Sequence, residues 1–110
     1  MSPEKTRAQL AGQIDPERSL VIQAAILLTL SRHGCSHGPT RELMKVAERE
    51  NGIKLTGLFG RPTKEAKGGL TILVDRELVA AHNAMPNSAK ARYALTDNGI
   101  ANVWWMISRC

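Results

Sequence analysis

The run from Leu20 to Leu30 interrupts its apolar side chains only at Gln23 and Thr29, and it constrains the fold more than any other segment. Placed on a helix it is apolar on nearly every face, so the chain must cover that helix on several sides. It is too short to span a bilayer. In a chain of 110 residues such a helix is either the central core element or part of a subunit interface. Asp15-Pro16-Glu17 supplies its start: an Asp oxygen for the free amides, Pro at the first helical position, and an acid at the positive end of the dipole. The helix is predicted to run to about His33 and to stop at Gly34. Residues 1–14 are polar without a sustained period and are expected to form a flexible N-terminal arm, leaving 15–110 as the folded domain.

The remaining elements follow from caps and periodicity. Pro39-Thr40 opens a second helix, with Thr40 as cap and Leu43, Met44, Val46 and Ala47 as the inner stripe, ending near Glu50. Asn51-Gly52 tolerates the left-handed turn that closes it, with Ile53 as the hydrophobic closing contact. Lys54 to Pro62 holds two glycines and a proline and reads as an irregular loop, with one extended piece at Ile53 to Leu55. Thr63 caps a third helix expected from about Lys64 to Leu78. Ala66, Leu70, Leu73 and Val74 face inward, and Lys64, Gly68, Thr71 and Asp75 face outward with Lys67 beside them. Gly68 and Gly69 each cost about 1 kcal/mol against Ala in a helix, which tertiary packing has to offset. Leu78 to His82 reads as a strand, Asn83 to Ser88 as a turn, and Ala89 to Leu95 as the return strand. In that strand Ala91, Tyr93 and Leu95 alternate with Lys90, Arg92 and Ala94. Thr96-Asp97-Asn98-Gly99 starts a last helix with a stripe of Ile100, Val103, Trp104 and Ile107. The expected class is mainly α with a small β-hairpin wing.

Charge narrows the function. Fifteen basic and ten acidic residues leave a net charge of +5, which favours phosphate or acidic-protein partners. Aromatic residues are 4%, too few for a reader that stacks single-stranded bases on aromatic platforms. The segment Lys54 to Lys67 sets Lys54, Arg61, Lys64 and Lys67 against Glu65 alone. No acid stands between Glu77 and Asp97, where His82, Lys90 and Arg92 fall. Arg41, Lys45 and Arg49 share a face of the second helix and could line a nucleic-acid backbone or pair with Glu42, Glu48 and Glu50; pairing is the preferred reading for Arg49, and Arg41 is left open. His33-Gly34-Cys35-Ser36-His37 gathers zinc-type side chains, but only His82 and Cys110 remain to complete a site, so neither metal nor cofactor is expected. Cys35 would need a lowered thiol pKa to act as a redox sensor. No phosphate-cradling glycine loop or nucleophile elbow is present, and no enzyme is expected. The N-terminus has no apolar run behind a basic start, and the two cysteines make no disulfide framework; a cytoplasmic protein without membrane attachment is expected.

The stretch Leu70 to Val79, followed by Ala91 to Gly99, resembles the winged helix-turn-helix of MarR- and PadR-type bacterial regulators. The wing's closing motif there, Tyr-x-Leu-Thr-x-x-Gly, is matched by Tyr93, Leu95, Thr96 and Gly99. Gly38-Pro39-Thr40 with Leu43 is similar to the start of the tri-helical unit, and the likeness covers residues 18–107. The resemblance implies a recognition helix in the major groove, with Lys64, Lys67 and Thr71 toward base edges or phosphates. Lys90 and Arg92 would be the wing's contacts, and Arg61 and Arg41 add to the DNA-binding set. It also implies a homodimer formed through terminal helices; the spacing puts Trp104 on the core stripe and turns Trp105 and Met106 away from it, to cover the first helix or make the dimer contact. The expected function is that of a transcriptional regulator on double-stranded DNA. One departure opens an alternative: a helix-turn-helix joins its helices through about 3–4 residues, whereas Gly52 to Pro62 intervenes here. With the Gly68-Gly69 pair, it points to a protein-interaction module, such as a phage- or plasmid-type inhibitor binding a protein partner. A replication or partition initiator shares the same chemistry with a different target.

Overall fold

The computed structural model describes residues 16–82 and 90–108. The expected arm, the Asp15 cap, the turn at Asn83 to Ser88 with Ala89, and Cys110 lie outside them. Helix α1 (Pro16–Arg32) carries the long apolar run and packs against all three other described helices and the sheet. Ile22, Ala25, Ile26, Leu27 and Leu30 are buried. The two polar interruptions are buried as well, and each has partners. The Gln23 amide donates to Ser19 Oγ at 3.0 Å and its oxygen accepts from Arg76 Nη1 at 2.8 Å; Thr29 Oγ1 accepts from Asn51 Nδ2 at 3.0 Å. Pairing removes the penalty that a lone buried amide or hydroxyl would carry.

A short strand, β1 (Ser36–His37), follows α1 and was not expected. It pairs antiparallel with β3 (Arg92–Leu95), which also pairs with β2 (Val79–His82), giving a three-stranded sheet in the order β1-β3-β2. Ser36 faces Ala94 and His37 faces Tyr93, while Val79 faces Leu95 and His82 faces Arg92. A strand of two polar residues shows no alternation of its own, so its partner rather than its sequence defines it. The fold is mainly helical with a small antiparallel sheet, compatible with a helical domain carrying a β wing.

Helix α2 (Thr40–Asn51) begins one residue earlier than its expected cap allows. Pro39 holds the N-cap position without a side-chain bond, and Thr40 is the first helical residue. Its hydroxyl turns into the core and shares a hydrogen bond with Tyr93 Oη at 2.5 Å, both side chains being buried. Gly52, at φ 67°, closes the helix as expected. Helix α3 (Lys64–Asp75) is capped by Thr63, whose Oγ1 accepts from the Ala66 amide at 3.1 Å. It stops at Asp75 rather than Leu78, because the chain turns through Glu77, at φ 61°, into β2. Gly69 lets α3 approach α1: a Cβ there would stand 2.8 Å from Ile22 Cγ2.

Helix α4 (Asp97–Ser108) starts where the closing motif placed it. Thr96 Oγ1 accepts from the Gly99 amide at 3.0 Å and donates to the Glu77 carbonyl at 2.5 Å. The expected inner stripe is only partly realised. Val103 is buried and Ile100 half-buried, but Trp104 is 66% exposed and Ile107 is exposed too, so Trp104 is not a core residue. Helical spacing tells which residues share a face; it does not tell whether anything lies opposite. Among the described residues, no helix is long and apolar enough to cross a membrane.

Candidate nucleic-acid interface

Helix α3 divides cleanly. Ala66, Gly69, Leu70 and Leu73 are buried, while Lys64, Lys67 and Thr71 are exposed at positions that share one side of a helix. Thr71 Oγ1 donates to the Lys67 carbonyl at 2.9 Å. The one acid of the first turn, Glu65, is drawn to α1 by Arg18, whose Nε lies 2.6 Å from Glu65 Oε2. At this half-exposed position the pair contributes well under about 1 kcal/mol of stability. Its consequence is electrostatic: the carboxylate is neutralised away from the lysines. No carboxylate lies within 4.0 Å of Lys64, Lys67 or Arg61 among the described residues.

The segment between α2 and α3 is a loop, as its sequence implied, with no strand assigned at Ile53 to Leu55, and it is held in place by specific bonds. Thr56 and Pro62 form an antiparallel bridge, and the Gly57 amide donates to the Arg61 carbonyl at 2.7 Å. Glu48 on α2 clamps the base of the loop. Its Oε1 accepts from the Leu55 and Thr56 amides at 2.8 and 3.0 Å, and its Oε2 from Thr56 Oγ1 at 2.9 Å. The Leu55 amide, then the two Thr56 bonds, hold this carboxyl below its ordinary range. Leu58–Gly60 makes a single 3-10 turn at the tip, where Leu58 and Phe59 are exposed.

Arg41 is drawn to this loop, its guanidinium donating to the Phe59 carbonyl. The Lys45 side chain packs against the same tip, with Cε 3.0 Å from where a Gly60 Cβ would stand. Lys45 has Glu42 at 3.9 Å. The pairing expected for Arg49 is absent among the described residues, because its candidate partners are engaged elsewhere. Glu48 holds the loop, and Glu50 sits 2.7 Å from His33 Nε2 and 3.7 Å from Arg32.

Lys90 is exposed in a turn ahead of β3, not on the return strand where the sequence placed it, and Arg92 is exposed on β3, its Nε donating to Ser36 Oγ on β1 at 3.2 Å. The structure thus gathers Arg41 and Arg61 at the loop that leads into α3, and sets Arg92 on the sheet. Glu48, Leu58 and Phe59 join the site without being singled out by the sequence, and Lys45 joins it from the shared face with Arg41. An apolar pair flanked by glycines, at Gly57-Leu58-Phe59-Gly60, was the available signal. The His33-to-His37 segment holds the two rings edge to face at 5.4 Å. His37 Nδ1 is buried without a hydrogen-bond partner among the described residues. Burial, then the charges of His33 and Arg92, keep that imidazole below its ordinary pKa. No group of three or more His, Cys, Asp or Glu is arranged to hold a metal among the described residues.

No family model, curated protein or solved structure matches the chain. Geometry and chemistry therefore carry the functional reading.

A second, largely apolar surface, with Arg76 and Gln23 at its edge, lies between α1 and α4. On α4, Trp105 and Met106 border a groove of about 310 Å³ with Leu20, Ala24 and Leu27 of α1. Trp104 and Ile107 border another of about 230 Å³, beside Ser31 and Cys35. Trp105 is 59% exposed and Met106 half-buried.

Proposed function

We propose that the chain is a dimeric winged-helix protein that binds double-stranded DNA as a transcriptional regulator in the cytoplasm, with no catalytic role. Helix α3 is its recognition helix and the β2–β3 hairpin its wing. The observation that carries the reading is the outer side of α3, where Lys64, Lys67 and Thr71 are exposed and the neighbouring Glu65 is tied to Arg18. Arg41, Arg61, Lys90 and Arg92 extend the positive surface. Phosphate contacts of this kind supply most of the affinity, and base-edge contacts from α3 supply register and choice of site. The element order, with a β-hairpin after the third helix and a strand from between the first two completing its sheet, suits a winged helix.

The partner proposed for the α1–α4 surface is a second copy. At about 150–250 Å² per full Trp surface, Trp104 and Trp105 together leave roughly 200–300 Å² uncovered. Leu20 and Ile107 add an area of similar order, with Val21 exposed on the neighbouring side of α1. A stable interface takes about 800 Å² per partner, roughly 65% of it apolar in homodimers, so these four residues supply much of the need. A two-fold dimer would present two α3 helices to a palindromic site.

The test is selection of binding sites from random duplex DNA, followed by titration of the selected duplex and of its separated strands. The expected result is a palindromic duplex bound far more tightly than either strand, with Lys64→Ala/Lys67→Ala losing most of that affinity. Equal affinity for duplex and single strands overturns the reading. A stable complex with a heterologous protein through the Trp104–Trp105 surface, without duplex affinity, would establish the protein-interaction alternative.

A further inference from the structure

The tip of the loop before α3 combines features that the salt-bridge and phosphate chemistry above does not use. Leu58 and Phe59 are 83% and 81% exposed, the highest values among the large exposed hydrophobic side chains described. Phe59 is also the only phenylalanine of the chain. Its backbone lies at φ 59°, ψ 22°, a left-handed conformation that is rare for a bulky side chain. Such strain persists only when the surroundings fix it. Here they do: the Thr56–Pro62 bridge, the Gly57–Arg61 hydrogen bond, the three bonds to Glu48 and the Arg41 bond to the Phe59 carbonyl hold the tip from both sides. A rigid apolar projection loses little conformational freedom on binding.

The charges around the tip identify what it meets. Arg41 and Lys45 pack against Gly60, Arg61 follows it, and Lys64 opens the helix three residues later. Of the acids close by, Glu65 is paired with Arg18 and Glu42 has Lys45 at 3.9 Å. Glu48 keeps its charge but turns it onto the Leu55 and Thr56 amides at the loop base. Arg41, Arg61 and Lys64 are thus the cations around the tip without a carboxylate within 4.0 Å among the described residues. An apolar wedge ringed by cations, continuous with the exposed lysines of α3, complements a polyanion that also offers flat apolar faces. Duplex DNA does so at a base step. Inserted Phe and Leu side chains unstack such steps, most readily at flexible pyrimidine–purine steps, and aromatic stacking on a base tolerates any sequence.

Resting on the DNA-binding reading above, we infer that Leu58 and Phe59 form a wedge that opens a base step beside the site held by α3. Phosphates bind the surrounding Arg and Lys side chains while Phe59 covers the exposed base face. The excursion between α2 and α3 is thereby a second reading element, and the target site is selected in part by how easily it deforms.

The experiment uses the full chain and duplexes from the selected site, carrying 2-aminopurine at successive positions. Stacked 2-aminopurine is dark and brightens when its neighbour is displaced. The wild-type protein is expected to brighten one position, strongest at a TA or CA step, and Phe59→Ala to abolish the signal. Phe59→Ala should weaken binding about 5- to 150-fold, with its salt slope unchanged, since no phosphate contact is removed. Phe59→Trp should retain both signal and affinity. Because Phe59 is exposed, the circular dichroism spectrum of Phe59→Ala should match the wild type. Duplex binding with no brightened position, or with affinity indifferent to Phe59→Ala, overturns the wedge and leaves the DNA-binding reading standing. No duplex binding by any variant overturns both. Phe59-dependent binding to phosphatidylglycerol vesicles in place of DNA assigns the tip to a membrane surface and overturns the inference.

Discussion

Replacing Tyr93 by Phe deletes one oxygen, and its surroundings set the cost. Tyr93 Oη and Thr40 Oγ1 lie 2.5 Å apart with both side chains buried, so neither loses its partner to water without a penalty. Phe fills the same space, which leaves the ring's packing in place and isolates the polar term. A buried hydroxyl left without its partner costs about 1–3 kcal/mol. We therefore expect Tyr93→Phe to destabilise the fold by about 2 kcal/mol and Thr40→Val by about 1–2 kcal/mol. The double substitution removes both hydroxyls and should cost less than the sum, by a coupling of about 1 kcal/mol or more. The assay is urea unfolding followed by far-ultraviolet circular dichroism, because Trp104 and Trp105 are too exposed to report faithfully on the core. With a slope of about 2 kcal/mol per molar urea, either single variant should lower the midpoint by roughly 0.5–1 M. Single effects that add within about 0.3 kcal/mol would refute the claim that this bond joins the return strand to α2.

Two further perturbations probe the loop and the helix contacts. Glu48 has its pKa lowered from an ordinary 4.5 by bonds that exist only in the folded loop. Its contribution is therefore present above pH 4.5 and lost as the pH falls through the folded value. Glu48→Gln should be less stable than the wild type at pH 7, with the difference shrinking in acid, and the Leu55 and Thr56 amides should exchange faster in the variant at neutral pH. A difference that grows in acid would contradict the clamp. Gly99→Ala would place a Cβ 2.0 Å from the Leu78 carbonyl oxygen, which only a backbone shift can relieve, at about 3 kcal/mol or more. Gly69→Ala meets the Ile22 Cγ2 methyl at 2.8 Å, an overpacking of about 1–3 kcal/mol set against about 1 kcal/mol of gained helix propensity. Thermal melts should rank Gly99→Ala well below Gly69→Ala, and the reverse order would refute both contact arguments.

Where the sequence was legible, its residues had a local reason for their place. Thr63 and Gly52 mark helix ends through bonds and a backbone conformation that need no distant partner. The closing motif was legible as well, and each residue has its task. Tyr93 reaches Thr40, Leu95 is buried, Thr96 caps α4, and Gly99 makes room for the Leu78 carbonyl. What escaped depends on partners far along the chain. Strand β1 exists because β3 offers it an edge. Pro39-Thr40 ahead of a helical stripe implies a cap, and the pattern does not show the tyrosine 53 residues away that Thr40 meets instead. The order within the 53–62 segment comes from Glu48, which looked like one more surface charge. The spacing of Trp104 with Val103 and Ile100 implies a core position, yet no described element covers its side chain. The basic residues of α3 were legible from composition; the removal of Glu65 by Arg18 was not.

The central claim is that α3 and its neighbours bind the phosphates of duplex DNA, and the salt dependence of binding tests it most directly. Each neutralised phosphate adds about −0.9 to the slope of log K against log salt concentration. Engagement of Arg41, Arg61, Lys64, Lys67, Lys90 and Arg92 by each protomer would give a slope of about −5 per protomer, and Lys64→Ala/Lys67→Ala should flatten it by about 2. A slope near zero, or one unchanged by the double substitution, would contradict the account.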